Sequence, residues 1–176
     1  ELGRCTGGYL AGETTFNMLT QVVGRAGRGD SPGKAIIQTM VPDHQVIRCA
    51  AEQDYDGFYD LEIQLRRVQN APPFGDLAAV VVTGREETAV LRGAAKFRDS
   101  LIACLRQEAY REERCAVLGP APCAVPKVNY HFRYQLTLRC RLTRTMRQLL
   151  SYLLREFGKD KANRGVSAYI DVNGFD

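Results

Sequence analysis

Residues 131–142 read His-Phe-Arg-Tyr-Gln-Leu-Thr-Leu-Arg-Cys-Arg-Leu, an unbroken alternation of polar and apolar side chains. A period of two belongs to an extended strand. Phe132, Tyr134, Leu136, Leu138, Cys140 and Leu142 then share one face, and His131, Arg133, Gln135, Thr137, Arg139 and Arg141 share the other. Guanidinium groups are costly to enclose without partners, and a row of large apolar groups is costly to leave in water. The strand therefore calls for a sheet that is packed on one face only.

The neighbouring segments supply the packing layer. Residues 77–83 are a continuous apolar β run, which predicts a central strand, and residues 86–110 carry Val90, Ala94, Phe97, Leu101 and Leu105 along one helical stripe. Ala116-Val117-Leu118 reads as a short strand, and residues 119–126 as a loop stiffened by Pro120, Pro122 and Pro126. Met146, Leu149, Leu150, Leu153 and Phe157 mark a second helix, and residues 166–172 a last strand. The order β-α-β-β-α-β predicts a split β-α-β module with two helices on one sheet face. The other face is left to meet a partner.

Upstream, the pattern changes. Phe16, Leu19, Val22 and Val23 sit at helical spacing, and Ala35-Ile36-Ile37-Gln38-Thr39 reads as a short β run. A helix opens after Pro42-Asp43, and another covers residues 55–68 until Pro72-Pro73 ends it. Three parts are expected: residues 1–53, a connecting helix and Pro-Pro joint over 54–75, and the module over 76–176. Phe74 is expected to pack between the domains at a rigid joint, and Tyr55, Phe58 and Tyr59 to be core.

With 45% hydrophobic and 25% charged residues in 176, the composition is that of a folded protein. The longest stretch without Asp, Glu, Lys or Arg, residues 115–126, is broken by three prolines, so no membrane span is expected. No secretion signal is evident either, and the absence of an initial methionine reads as a piece of a longer polypeptide. Cysteines at 5, 49, 104, 115, 123 and 140 form no Cys-x-x-Cys pair, and the two histidines, His44 and His131, add no ligand set. Metal is not expected; reduced thiols in a cytoplasmic protein are. His44 and Asp43 read as capping and surface residues, and nothing near Cys123 suggests a nucleophile.

The net charge of +4 conceals an asymmetry. Between residues 127 and 164 ten basic residues face only Glu156 and Asp160, a local +8, while the remainder carries 14 basic against 18 acidic residues, or −4. Such a basic end suits a polyanion. Lys127, His131, Arg133, Arg139, Arg141 and Arg147 are the candidate nucleic-acid contacts, with Tyr169 placed to stack a base. A solvated arginine face is the plainer alternative.

The sharpest motif is Gln21-Val22-Val23-Gly24-Arg25-Ala26-Gly27-Arg28. Two arginines three residues apart at a helix end can both reach one polyphosphate, and glycines let backbone approach it. Alone, Gly-Arg-x-Gly-Arg also fits an RGG-like basic loop or a glycine helix cap. The full pattern resembles motif VI of superfamily-two helicases. Its surroundings, Phe16-Asn17-Met18-Leu19-Thr20, Pro32-Gly33 and Ile37-Gln38-Thr39, resemble the primosomal replication-restart helicases, the PriA family. Pro72-Pro73-Phe74, Gly119-Pro120-Ala121-Pro122, Phe132-Arg133-Tyr134-Gln135-Leu136 and Ile170-Asp171-Val172 continue the match nearly to the C-terminus.

That resemblance implies the tail of the second RecA-like helicase lobe (α/β), followed by an α+β C-terminal domain similar to ribosomal protein S10. It implies ATP contacts from Gln21, Gly24, Arg25, Gly27 and Arg28, in a parent that uses ATP with Mg2+ and holds zinc elsewhere. It also implies 3′→5′ unwinding at stalled or repaired forks in the cytoplasm, near the nucleoid. The implied partners are forked or single-stranded DNA, the tail of single-strand-binding protein (with Arg144 the candidate contact), other primosome proteins and the rest of the helicase core. The Gly-Lys pairs at 33–34 and 158–159 lack a following Ser or Thr, and no Asp-Glu box is present. This stretch alone is thus expected neither to bind nor to hydrolyse ATP. Alternatives from other classes are a stand-alone S10-like RNA- or protein-binding module and a structural clamp that binds no nucleic acid.

Overall fold

The computed structural model describes residues 10–26 and 34–172. The chain divides into two compact units, Glu1–Gln69 and Asn70–Asp176.

In the first unit the apolar spacing yields helices α1 (Ala11–Ala26), α2 (Gln45–Glu52) and α3 (Tyr55–Gln69). They meet at Phe16, Ala50 and Phe58, ringed by Leu19, Val46 and Cys49. The Phe16 and Phe58 rings lie nearly parallel with centroids 4.2 Å apart. Between α2 and α3 the chain turns through Gln53 at φ 56°, and Asp54 Oδ1 accepts the Gly57 amide at 2.9 Å, capping α3. Arg66 on α3 ties the bundle laterally, donating to Glu62 at 2.8 Å and to Glu13 on α1 at 2.9 Å.

Two expectations fail here. Residues 35–39 form no strand, because a strand needs a neighbour and the described part of this unit offers none; Ile36 is 83% exposed. Tyr55 and Tyr59 are exposed rather than core, since Phe58 takes the inward position and Phe16 fills the space beside it. The expected connector over 54–75 is also divided. Its helix packs within the first unit, and the Pro72-Pro73 segment belongs to the second.

The second unit contains β1 (Asp76–Gly84), α4 (Glu87–Leu105), a 3₁₀ turn (Glu108–Tyr110), β2 (Cys115–Val128) and β3 (His131–Cys140). It continues with α5 (Arg144–Lys159), a 3₁₀ turn (Lys161–Asn163) and β4 (Val166–Val172). The sheet order is β2-β3-β1-β4, with every adjacent pair antiparallel. This α+β unit thus follows the expected β-α-β-β-α-β sequence of elements.

Parity decides which residues are enclosed. Leu136, Leu138 and Cys140 of β3 and Ala78, Val80 and Val82 of β1 point to the side where α4 contributes Val90, Ala94, Phe97 and Leu101. The same side receives Met146, Leu149, Leu150, Leu153 and Phe157 of α5. Both helices therefore cover one face. α5 begins at Thr143, whose hydroxyl oxygen accepts the Met146 amide at 3.0 Å, and the Leu142 amide just before it donates to Asp76 at 2.8 Å.

The proline-stiffened loop expected over 119–126 is instead part of β2, which runs for 14 residues. Proline removes a ladder donor, but β2 is an edge strand, and register shifts between Leu118 and Ala121 and between Pro122 and Lys127 let it bypass the missing bonds. Gly119 sits at φ 99°, and a Cβ there would stand 2.7 Å from the Gln135 carbonyl oxygen, so the first irregularity needs glycine. β2 returns into β3 through Asn129 and Tyr130, both at positive φ (48° and 64°), a two-residue turn matched to strand twist.

Candidate nucleic-acid interface

On the face of the sheet opposite α4 and α5, β3 places Arg133, Gln135, Thr137 and Arg139 in one row. The register sets Arg133 beside Thr83, Gln135 beside Val81, Thr137 beside Ala79 and Arg139 beside Leu77 of β1. On the far side of β1, β4 sets Tyr169 beside Val81 and Asp171 beside Ala79. Small side chains on the central strand leave a shallow floor, where Ala79, Val81 and Cys123 form a buried cluster. Longer polar groups flank it.

Arg133 reaches across the central strand, its Nη2 donating to the Tyr169 Oη at 3.2 Å. This bond fixes a guanidinium and a phenol as one unit, with Tyr169 still 42% exposed. Burial pushes the Cys123 thiol up, with the nearby Arg133 charge opposing it, so Cys123 belongs to the floor rather than to any reactive centre. Arg139 is half-buried between Leu77 and Ala116, and Arg141 lies exposed just beyond the end of β3.

The other expected contacts are dispersed. His131 begins β3, its Nδ1–H donating to the Asn129 carbonyl at 2.9 Å. Lys127 pairs in register with Phe132 and takes that residue's side of the sheet, its Nζ 4.3 Å from the ring centroid. It does not join the arginine row. Arg144 and Arg147 are exposed on the first turns of α5, in the helix layer. The basic residues are therefore divided between the bare sheet face and the helical side, and on the latter Lys127 and the Arg144–Arg147 turn belong to opposite ends of β3.

Sequence reasoning passed over Tyr130. It is 84% exposed at the β2–β3 turn, in a left-handed conformation that costs a tyrosine more than it costs glycine or asparagine. The Asn-Tyr dipeptide preceding an alternating strand was the available signal.

In the first unit, Gln21 and Arg25 are exposed and four residues apart on α1, so they share a helix face. Gly24 lies where α1 passes Gln53; a Cβ would be 3.3 Å from its amide nitrogen. Gly27 and Arg28 fall outside the described residues. Gln21 and Arg25 thus present an amide and a guanidinium on one exposed side of α1. Among the described residues no group of three or more His, Cys, Asp or Glu could hold a metal ion, and no helix is long and apolar enough to cross a membrane.

Fold and surface together define an α+β module with a one-sided, arginine-bearing sheet, preceded in the chain by a Gln-x-x-Gly-Arg segment on α1. The family model for the primosomal protein N C-terminal domain matches residues 67–174. Replication restart protein PriA of Bacillus subtilis is 32% identical over 167 residues, covering 95% of this chain and 20% of that protein. The protein of the same name from Synechocystis is 35% identical over 131 residues, covering 74% of this chain and 15% of that protein. The Rickettsia typhi protein is 30% identical over 154 residues, with coverages of 88% and 22%. The chain belongs to the PriA family of replication restart proteins, and its match covers 15–22% of the length of these relatives.

Proposed function

We propose that this chain is the C-terminal part of an ATP-dependent 3′→5′ DNA helicase that recognises stalled or repaired replication forks and restarts replication through primosome assembly. In this reading the second unit, similar to ribosomal protein S10, binds DNA. The first unit is the end of a RecA-like lobe that offers Gln21, Arg25 and Arg28 to ATP phosphates, with Gly24 and Gly27 shaping the approach. ATP with Mg2+ would be held mainly by residues outside this chain, as would the family's zinc, so the chain alone turns over no nucleotide.

The observation that carries the reading is the helix-free face of the sheet, where Arg133 is hydrogen-bonded to Tyr169 and Arg139 stands in the same row. Guanidinium groups on a flat face bind phosphates irrespective of sequence, and a held phenol offers a stacking surface to an unpaired base. Tyr130 at the hairpin tip offers a second. Arg141 and His131 extend the row at its two ends. Lys127 and Arg147 add cationic contacts to DNA outside that row, and Arg144 is the contact for the acidic tail of single-strand-binding protein.

Binding of the chain to a forked DNA, measured against salt, tests this. Replacing Arg133, Arg139 and Arg141 together by Ala is expected to flatten the slope of log K against log salt by about 2–3. An unchanged slope removes the strand from the interface. Equal affinity for structured RNA would favour a stand-alone RNA-binding module.

A further inference from the structure

The β2–β3 hairpin carries at its open end a feature that nucleic-acid binding does not use. Cys115, the first residue of β2, is the register partner of Cys140, the last residue of β3. Directly opposed residues of antiparallel strands have Cα atoms about 4.5 or 5.5 Å apart, depending on the pair type. Both values lie within the range of about 4.4–6.8 Å that a disulfide spans. Opposed residues also project to the same side of the sheet, so the thiols face each other without backbone movement. Cys140 is fully buried and Cys115 half-buried; of the other free thiols, Cys104 on the last turn of α4 packs against the same cluster, while Cys49 and Cys123 belong to other clusters.

We propose that Cys115 and Cys140 form an oxidisable pair that a peroxide-class oxidant converts to a disulfide, closing the β2–β3 hairpin into a covalent ring. The step balances: one thiolate attacks a peroxide oxygen, breaks the O–O bond and becomes a sulfenic acid as hydroxide leaves. The second thiol attacks that sulfur, the S–S bond forms and the sulfenic oxygen departs as water. Two thiols lose two electrons, and hydrogen peroxide is reduced to two waters. A dithiol reductant reverses the bond by exchange.

The local electrostatics suit this sequence. The Cys115 thiol donates to the Ala116 carbonyl at 3.9 Å, and the interaction between the two thiols holds Cys115 well above and Cys140 below the usual thiol value. Burial and Glu113 add to the upward shift at Cys115, while burial, Asp76 and Glu113 oppose the ionisation of Cys140. The ring would enclose the irregular part of β2 and the Tyr130 tip. It would also fix the strand end at which Arg139 and Arg141 flank Cys140. None of this requires the DNA-binding reading to hold.

The test uses the whole chain, folded, with hydrogen peroxide as the oxidant. After iodoacetamide blocking, peptide mapping without reductant is expected to join the Cys115 and Cys140 peptides with loss of two hydrogens, reversed by dithiothreitol. The melting temperature of the second unit should rise by about 5–10 °C on oxidation. Cys123→Ser should keep the bridge and the shift; Cys115→Ser and Cys115→Ala should lose both. Oxygen addition at Cys115 or Cys140 without a bridge would overturn the proposal. So would a bridge between other cysteines, or full alkylation of both thiols after peroxide treatment.

Discussion

Leu138→Ala, compared with Thr137→Ala one residue away, tests the parity on which the second unit is built. Leu138 is fully buried, opposite Ala78 and Val117 in register, and part of the cluster under α4 and α5. Removing three carbons forfeits about 2.4 kcal/mol at ~0.8 kcal/mol per buried methylene. The space left between a sheet and two helices adds about 1–2 kcal/mol, for a total of about 3–4 kcal/mol. Thr137 points to the helix-free face and should cost only about 0.5 kcal/mol when truncated. Amide exchange of Val80 and Val82, on the central strand, reads the second unit without interference from the first. It should accelerate roughly 10²- to 10³-fold in Leu138→Ala and at most a few-fold in Thr137→Ala. Comparable acceleration in the two variants, or a loss below about 1 kcal/mol for Leu138→Ala, would refute the one-sided packing.

Two further outcomes follow from ion pairs. The ammonium of Lys96 and the Ala162 amide hold the Asp160 carboxyl below its usual range. A depressed acid stabilises the fold above its unfolded value of about 3.9 and ceases to do so as pH falls through the folded value. The stability difference between the wild type and Asp160→Asn should therefore be constant near neutrality and shrink in acid, in urea titrations repeated from pH 7 to pH 3. A difference that grows on acidification would contradict the sign. In the first unit, Arg66→Ala should destabilise by about 1–2 kcal/mol by leaving Glu62 half-enclosed beside a lost partner, with Glu13, the more exposed member, contributing little. Circular dichroism of the helical signal on heating would show it, and an unshifted melt would count against the lateral tie.

Much of the second unit was legible because its periods are clean. Residues 131–142 alternate without exception, and α5 repeats its apolar groups at helical spacing. What could not be read depends on partners distant in the chain. Pro120, Pro122 and Pro126 signal a loop unless the strand is known to lie at a sheet edge. Lys127 counts as a neighbour of the arginine row until two register shifts turn it toward Phe132. Cys115 and Cys140 are far apart in sequence, and only the register makes them opposite. In the first unit, residues 35–39 have strand composition but no strand to pair with among the described residues. The Gln-x-x-Gly-Arg motif was plain to see, yet Gly27 and Arg28 lie outside the described residues, so its geometry rests on Gln21, Gly24 and Arg25.

The two borders of the sheet are chemically unlike. On the β2 side, prolines and a glycine kink interrupt the row of donors that another polypeptide would need in order to attach there. On the β4 side, seven uninterrupted residues without proline keep theirs. Self-association by strand addition is thus discouraged at one margin and permitted at the other. Any lengthening of the sheet is thereby directed beyond β4.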